Sequence, residues 1–213
     1  MTTADYRRDR RRLVELLRSG GISDLAVLHA FDAVPRHAFV PEGVRHRAYE
    51  NAALPLGNGQ TISRPDVHAR HLCLAQLTGN ERVLEVGTGS GFQTALLARL
   101  ARHVYSIEVV PELAARAQTV LDGLDLSNVT LRTGDGSVGW PDEAPFDVIL
   151  VGAAGPSISD ILKLQLAPEG RLIVPVGQGG QQTLYRVRRG PAGFEAEQVD
   201  SAYFVPLIGD EGW

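Results

Sequence analysis

The sequence predicts an α/β fold with a doubly wound, mostly parallel sheet, preceded by helices and followed by antiparallel strands. Apolar strand-like runs alternate with amphipathic helical runs through residues 81–177, as in parallel sheets with helical crossovers. The first of these strands leads into a glycine-rich turn, and period-two alternation returns near the end of the chain. With 213 residues, 44% of them hydrophobic, the chain can bury the core of one domain.

Two helices are expected before the sheet. Residues 4–19 form an amphipathic pattern that ends at a pair of glycines, and residues 24–34 form a second pattern that ends before a proline. Leu25, Leu28 and Phe31 are expected on one apolar face of the second helix. The arginine-rich run at 7–12 is typical of a solvated helix face, so we do not expect it to bind nucleic acid.

The next segment, residues 35–64, is rich in Pro, Gly, Asn and small residues. A connection of this length without regular structure is usually functional in a compact domain. We therefore interpret it as an active-site loop with short ordered pieces. A helix over 65–77 is expected to follow it and to lead into the first strand of the sheet.

The glycine-rich turn lies in the run Val83-Leu-Glu-Val-Gly-Thr-Gly-Ser-Gly91, between a buried strand and a helix that begins near Phe92. Glu108 ends the next strand, roughly 20 residues on, where a carboxylate can accept hydrogen bonds from both hydroxyls of a ribose. This arrangement is typical of a nucleotide cradle. Its spacing fits NAD as well as S-adenosylmethionine.

Neighbouring residues favour a cationic cofactor. The glycine spacing is G-x-G-x-G, and Glu85 lies in the strand just before it, where a carboxylate would repel a pyrophosphate and attract a sulfonium or an amino group. Asp135 and Gly136 follow a further strand and can read an adenine amino group. The apolar strand 146–151 then ends in a run of small residues at 152–155, which leaves open space beside the cradle.

The end of the chain is expected to form an antiparallel hairpin. Residues 184–187 and 199–205 alternate between apolar and polar side chains, as strands with one buried face do. These strands would extend the sheet beyond its parallel part.

Composition and cysteine usage narrow the class of protein. The formal net charge is −4, which does not favour nucleic acid or an anionic membrane as a partner. Cys73 is the only cysteine, so a disulfide within the chain is excluded and a reducing compartment is favoured. We find no signal-peptide pattern and no run of about 20 apolar residues. A cytoplasmic monomer is expected.

One segment contains four residues of types that bind metals, namely Asp66, His68, His71 and Cys73. On a helix the two histidines share a face, but the aspartate and the cysteine do not both join them. We therefore predict no metal ligands here, with partly exposed helix histidines as the ordinary alternative.

The sequence resembles the protein-L-isoaspartate O-methyltransferase family over nearly its whole length. The shared segments are 34–40, 54–63, 84–93, 105–108, 134–136, 144–147, 166–177 and 204–207. Many methyltransferases share the glycine cradle, whereas the Gly-Gln-Thr-Ile-Ser-x-Pro pattern that begins at Gly59 is specific to this family. The resemblance implies a Rossmann-like methyltransferase domain over 1–213. Its parts would be N-terminal helices and active-site loop at 1–80, a cofactor-binding core at 81–177 and antiparallel strands at 178–213.

The resemblance also implies the reaction. S-adenosylmethionine would be the cofactor, S-adenosylhomocysteine its product, and proteins or peptides that contain L-isoaspartyl residues, extending to D-aspartyl residues, the substrates. Methylation of the free carboxyl would start repair through a succinimide. A carboxylate is ionised at neutral pH, so the enzyme needs to align it and does not need a general base.

The family's site residues transfer to matching positions of this chain. Ser63 is expected to orient the attacking carboxylate, although from the residues alone it could equally cap the helix that begins at Pro65. The expected cofactor-binding residues are Gln60, Thr61, Ile62, His68, Glu85, Gly87, Thr88, Gly89, Ser90, Gly91, Glu108, Asp135 and Gly136. The expected substrate-binding residues are Thr61, Ser63, Arg64, Val205 and Leu207.

The chain departs from the family pattern just after the serine, where it has Ser63-Arg64-Pro65-Asp66. Arg64 could pair with a second carboxylate of the peptide, and Asp66 would repel an acidic neighbour. Two alternatives to general repair therefore stay open. The chain could be a dedicated methyltransferase acting on an aspartate of one peptide or on a small molecule, or a non-catalytic module that binds the cofactor.

Overall fold

The structure, a computed structural model, describes residues 6–179 and 181–213. Seven strands form one sheet in the order β5-β4-β3-β6-β7-β8-β9. The strands are β3 (Arg82–Val86), β4 (His103–Glu108), β5 (Val129–Thr133), β6 (Phe146–Val151), β7 (Leu166–Gln178), β8 (Gln181–Gly190) and β9 (Gly193–Ala202). The first five run parallel, and the last two pair antiparallel. The predicted fold class is confirmed.

Helices flank the sheet. They are α1 (Arg7–Ser19), α2 (Leu25–Ala33), α3 (Pro65–Ala75), α4 (Phe92–Ala98), α5 (Pro111–Asp122) and α6 (Asp160–Leu164). Asp24 caps α2, because its side chain accepts hydrogen bonds from the amides of Ala26 and Val27. Residues 4 and 5 of the predicted first helix lie outside the described residues.

The N-terminal helices share one apolar core with the sheet. Leu13, Phe31, Phe92 and Val83 are all almost fully buried in the same cluster. The prediction for Leu25 is wrong, since its side chain is 60% exposed. Leu25 is the first residue of α2, so it lies at the end of the helix, one turn before the buried Leu28.

The segment before α3 contains the short ordered pieces that its composition suggested. Two 3-10 turns, Arg36–Phe39 and Glu42–Arg47, precede a hairpin formed by β1 (Leu54–Gly57) and β2 (Gln60–Ile62). The hairpin turns at Asn58 and Gly59, whose φ angles are 52° and 70°. Glycine at the second position allows this left-handed backbone without strain.

The final strand differs from its prediction. β9 starts at Gly193 and ends at Ala202, so the proposed strand at 199–205 is placed too late. Val205 and Leu207 instead run beside Ala154, whose amide donates to the Val205 carbonyl at 2.8 Å and whose carbonyl accepts from the Leu207 amide at 2.8 Å. The chain thus returns to the ends of the parallel strands. None of the helices in the described ranges has the length and apolarity to cross a bilayer.

Candidate active site

A cleft opens at the carboxyl ends of β3 and β4, where β3 has β4 on one side and β6 on the other. Ligands of doubly wound sheets bind at such a switch point. The cleft is lined by thirteen of the residues that the sequence analysis singled out: Gln60, Thr61, Ile62, Ser63, His68, Gly87, Thr88, Gly89, Ser90, Glu108, Gly136, Val205 and Leu207.

One wall of the cleft, the strand-end wall, consists of the turn after β3 and the ends of β4 and β6. Gly87 and Gly89 have φ angles of 93° and 56°, which glycine adopts readily. A Cβ atom at Gly89 would meet nothing within 4 Å and would project into open space. The backbone of the turn is therefore exposed to a ligand.

Glu108 fixes this turn from the end of β4. Its Oε2 accepts a hydrogen bond from the Gly89 amide at 2.7 Å, and its Oε1 accepts one from the Val110 amide at 2.9 Å. A carboxylate offers about four acceptor positions, so acceptor capacity is left for ligand hydroxyls. The side chain is 5% exposed and lines the cleft, as a ribose-binding acid must.

The opposite wall, the loop wall, consists of the β2 strand, the residues after it and the first turns of α3. Ser63 is half-buried, and among the described residues none shares a hydrogen bond with its hydroxyl. Arg64 occupies the N-cap position of α3 and makes no capping hydrogen bond with its side chain, while the Asp66 amide in the first turn donates to Asn51 Oδ1 at 3.1 Å. The alternative role of Ser63 as a helix cap is thus not seen.

The position of Ser63 is held from behind by Arg36. The guanidinium donates from Nη2 to the Ser63 carbonyl at 2.9 Å and from Nε to the Ala48 carbonyl at 2.8 Å. It also lies 4.8 Å from the centre of the Phe92 ring. These contacts join three separate pieces of chain behind the serine.

Two histidines of α3, His68 and His71, form the floor of the loop wall. Contrary to the partly exposed alternative weighed above, both are buried. Burial lowers the pKa of His68 to about 3, with help from the charge of Arg36, and burial lowers the pKa of His71 to about 4. Both rings are therefore neutral at physiological pH. No set of three or more metal-ligating side chains is found in residues 6–179 and 181–213.

Glu85 lies beneath the strand-end wall and does not line the cleft. It is fully buried, and its Oε2 accepts hydrogen bonds from the hydroxyls of Thr94 at 2.5 Å and Ser106 at 2.6 Å. Burial raises its pKa to about 7, despite these hydrogen bonds. Ser106 in turn bonds the hydroxyl of Thr88, so Glu85 reaches the cleft through two side chains.

Asp135 also lies outside the cleft lining, although Gly136 contributes to it. The Asp135 carboxylate accepts hydrogen bonds from Ser137 and, at 2.8 Å, from the Asp210 amide. Partial burial raises its pKa, but these hydrogen bonds outweigh that effect and leave the pKa below its ordinary value. Both carboxylate oxygens of Asp135 therefore accept hydrogen bonds from the protein. The contact with Asp210 places the last residues of the chain beside the cleft.

Arg64 and Gly91 are the other predicted site residues that do not line the cleft. Arg64 forms a bidentate ion pair with Asp66, in which Nε donates to Oδ1 at 3.0 Å and Nη2 donates to Oδ2 at 2.6 Å. Each charge is therefore compensated before any substrate binds. Gly91 packs against α5, where a Cβ atom would lie 3.1 Å from the Ala117 Cβ. It is required for packing rather than for direct contact.

Several lining residues were not singled out from the sequence. Gln93 accepts a hydrogen bond from His68 Nδ1 at 2.8 Å, and Phe204 stacks on the His71 ring at 5.1 Å between centroids. Gln93 lies within the shared cradle segment 84–93, and Phe204 opens the shared segment 204–207, so the motifs contained the signal. Their contacts cross long sequence distances, which local patterns do not encode.

The residues at the cleft fit S-adenosylmethionine. Glu108 lies at the end of β4 with acceptor positions left for a ligand, and the glycine backbone of the turn is open. Apart from the histidines, Glu108 is the only ionisable side chain among the described residues that line the cleft. A pyrophosphate would find no Lys or Arg on these walls. The set favours a cofactor with a ribose and a positive charge.

Known proteins of one family are similar to almost the entire chain. The family model for protein-L-isoaspartate(D-aspartate) O-methyltransferase matches residues 8–212. A protein-L-isoaspartate O-methyltransferase 1 from Anaeromyxobacter is 55% identical over 195 residues, covering 90% of this chain and 92% of the relative. A protein-L-isoaspartate O-methyltransferase from Trichlorobacter lovleyi is 48% identical over 206 residues, covering 96% and 95%.

Solved structures show the same similarity. A protein-L-isoaspartate O-methyltransferase superposes with a TM-score of 0.87 at 27% identity, covering 95% of this chain and 67% of the other. A Plasmodium falciparum structure described as a putative enzyme of this kind, in complex with S-adenosyl-L-homocysteine, gives 0.82 at 25% identity, covering 93% and 98%. The family match over almost the entire chain, and relatives at about half identity, confirm the prediction made from the motifs: the chain belongs to the protein-L-isoaspartate(D-aspartate) O-methyltransferase family.

Proposed function

We propose that this chain methylates the free carboxyl of L-isoaspartyl residues in damaged proteins, with D-aspartyl residues as a further acceptor. The observation that carries the proposal is one cleft with Ser63 on its loop wall and Glu108 with the glycine turn on its strand-end wall. The family membership and the names of relatives such as those above support the same acceptor.

The cofactor role is assigned to the strand-end wall. When bound, S-adenosylmethionine supplies an electrophilic methyl group. Glu108 would accept from the ribose hydroxyls, and the backbone of Gly87 and Gly89 would follow the methionine part. Thr88 and Ser90 line the same turn, and Gly136 lies where the adenine is expected. Glu85 would support this wall from below through Ser106.

Besides Glu85, two predicted cofactor residues, Asp135 and Gly91, need an indirect part in this proposal. Asp135 would act through the Asp210 amide and Ser137, which its carboxylate holds beside the cleft. Gly91 would support the turn by packing. Gln60, Thr61, Ile62 and His68 line the loop wall and would contact the cofactor from the acceptor side.

The acceptor role is assigned to the loop wall. The isoaspartyl carboxylate is the nucleophile, and the Ser63 hydroxyl would donate a hydrogen bond that sets its angle to the methyl carbon. Thr61, Val205 and Leu207 line the same space and would contact the peptide. Arg64 is paired with Asp66, so it would reach a substrate carboxylate only by exchanging partners.

Paired peptides test this function. One peptide contains an L-isoaspartyl linkage and its control contains a normal aspartyl linkage at the same position. We expect methyl transfer from labelled S-adenosylmethionine to the isoaspartyl peptide alone, followed by release of methanol as the ester closes to a succinimide. Equal labelling of both peptides, or labelling of neither in several sequence contexts, would contradict the proposal.

We also propose that the protein acts as a cytoplasmic monomer with a single domain and binds neither nucleic acid nor membranes. The shared core of the N-terminal helices and the sheet supports one domain. The net charge of −4 argues against polyanionic partners, and the single cysteine suits a reducing compartment. Light scattering of the purified protein would test the monomer.

A further inference from the structure

Arg36 is a buried arginine without an acidic partner. Its side chain is 0% exposed, and no carboxylate in the described part of the chain pairs with it. Nη1 has no hydrogen-bond partner at all among the described residues. An isolated buried charge is costly, so its retention requires an explanation.

The surroundings of Arg36 stabilise the cation without neutralising it. Two backbone carbonyls, of Ala48 and Ser63, accept its hydrogen bonds, and the Phe92 ring offers its face. The titratable groups nearby are Tyr49, after the second 3-10 turn, and His68 on α3. Burial lowers the pKa of Arg36 to about 9, so the guanidinium still carries its charge at neutral pH.

The position of this charge relates it to the acceptor. Nη2 lies 2.9 Å from the Ser63 carbonyl, so the cation is within the dimensions of one residue from the Ser63 hydroxyl. The cleft lining itself contains no Lys or Arg among the described residues. An anionic acceptor at Ser63 would otherwise face uncharged side chains, neutral histidines and Glu108.

We infer that Arg36 is a positioning residue for the acceptor: it fixes the backbone that carries the Ser63 hydroxyl, and its unpaired charge favours an ionised carboxylate there. This inference rests on the proposed function for the nature of the acceptor. The fixing of the Ser63 segment stands on the hydrogen bonds alone.

The chain offers a matched control in Arg171. Its guanidinium also donates to two backbone carbonyls, those of Ala75 and Gln76, but it holds the far end of α3 and lies 3.8 Å from Glu81. Arg36→Met and Arg171→Met therefore each remove a guanidinium that donates to two backbone carbonyls. Arg36 is buried and Arg171 is half-buried. Only Arg36→Met removes a cation beside the cleft.

We expect Arg36→Met to lower the kcat for an isoaspartyl peptide at least ~10-fold at pH 7, because misplacement of a reacting group is costly. Its dissociation constant for S-adenosylhomocysteine should change less than about threefold, since no cofactor contact is assigned to Arg36. The acid limb of its pH–rate profile should move upward by roughly half a pH unit or more, because a nearby cation lowers the pKa of a carboxylate. Arg171→Met should keep wild-type values for all three.

Arg36→Lys separates the two contributions, and it replaces Arg36→Met if the latter does not fold. Lysine keeps the charge but cannot span both carbonyls, so we expect a several-fold loss of kcat with an unchanged acid limb. Wild-type kcat in Arg36→Lys would overturn the fixing of Ser63. If Arg36→Met and Arg171→Met have the same kcat per folded molecule and the same pH–rate profile, the whole inference is overturned.

Hydrogen exchange provides a readout without catalysis. In Arg36→Met, or in Arg36→Lys if needed, amides of residues 60–64 should exchange faster than in Arg171→Met at equal global stability. If the wild type methylates no isoaspartyl peptide, the proposed function fails. Exchange at 60–64 still decides whether Arg36 fixes this segment, and unchanged exchange there would refute it.

Discussion

The two walls of the cleft are positioned by different means. The strand-end wall follows from sheet register, because β3 pairs with β4 and β6 residue by residue up to the turn. The loop wall belongs to a segment with little regular structure, held by side-chain contacts such as those of Arg36. Under the proposed function, cofactor binding would depend on the sheet, whereas acceptor alignment would depend on a few polar contacts and would be easier to change.

The largest effect is expected at the loop wall. Ser63→Ala should lower kcat by about 10²-fold, the loss typical when one aligning hydrogen bond of a transition state is removed. Affinity for S-adenosylhomocysteine and thermal stability should stay close to wild type, as stopped-time methylation assays, calorimetry and melting curves would measure. Full turnover in this variant would show that the loop wall does not align the acceptor through Ser63.

A tenfold effect is expected at the strand-end wall. Glu108→Ala should weaken S-adenosylmethionine binding by at least ~1.5 kcal/mol, the lower range for hydrogen bonds to a charged group. Calorimetry would measure the change, with Asp66→Ala on the loop side as a control that keeps wild-type affinity. Equal affinity of Glu108→Ala and wild type would separate this wall from the cofactor.

The walls should also differ in their response to acid. Burial lowers the pKa values of His68 and His71 to about 3 and 4 from 6.5, so both contribute stability above pH 6.5 that is lost as the pH falls below it. Burial raises the pKa of Glu85 from 4.5 to about 7, so its contribution is complete below 4.5 and is lost as the pH rises through 7. Between pH 6.5 and 4.5 the unfolded chain holds two protons at these three groups, one on each histidine. The folded chain holds one, on Glu85.

The net difference of one proton at these three groups makes stability fall by about 1.4 kcal/mol for each pH unit between pH 6.5 and 4.5, and the lowered pKa values of His37 and His103 act in the same direction. Urea titrations across this range would measure the slope. His71→Leu should lower this slope by about 1.4 kcal/mol per pH unit, and substitution of the exposed His29 by Asn is the matched control. An equal slope in both variants would mean that His71 titrates normally in the folded protein.

The smallest effect is expected at Asp135, which holds the end of the chain and not the cleft lining. Asp135→Asn should speed hydrogen exchange at residues 210 and 211, whose amides bond Asp135 and Ser137. Because the folded pKa of Asp135 is lowered, this anchoring should persist above about pH 4 and weaken as the pH falls further. Asp200→Asn, which removes a surface ion pair with Arg70, is the control.

Sequence patterns predicted the strand-end wall well because its strands are continuous apolar runs with glycines where the backbone turns. Glu108 was found for the same reason, since its place follows from the end of a strand. Asp135 follows the end of β5, but its direction is set by Asp210, far along the chain, and local pattern does not contain that contact. The edge strand β9 was misplaced because its first half, residues 193–197, is exposed on both faces and lacks the buried apolar positions that mark a strand.

The loop wall was predicted in identity but not in construction. The family motif singled out Ser63, while the burial of His68 and His71 depends on Phe92 and Phe204 from other elements. Arg36 was part of a shared segment, yet nothing local distinguishes a buried arginine from a solvated one. These properties arise only when distant segments pack.

The hydrogen bonds that hold the backbone of Ser63 lie within one stretch of chain. Arg36 donates hydrogen bonds to the carbonyls of Ala48 and Ser63, and His37 shares a hydrogen bond of 2.7 Å with the Tyr49 hydroxyl. Arg116 of α5 adds a tie to the core through the Leu56 carbonyl. Exchange of residues 34–59 between members of the family would therefore move the support of Ser63 as one unit, while the lining residues from Gln60 onward stay those of the recipient.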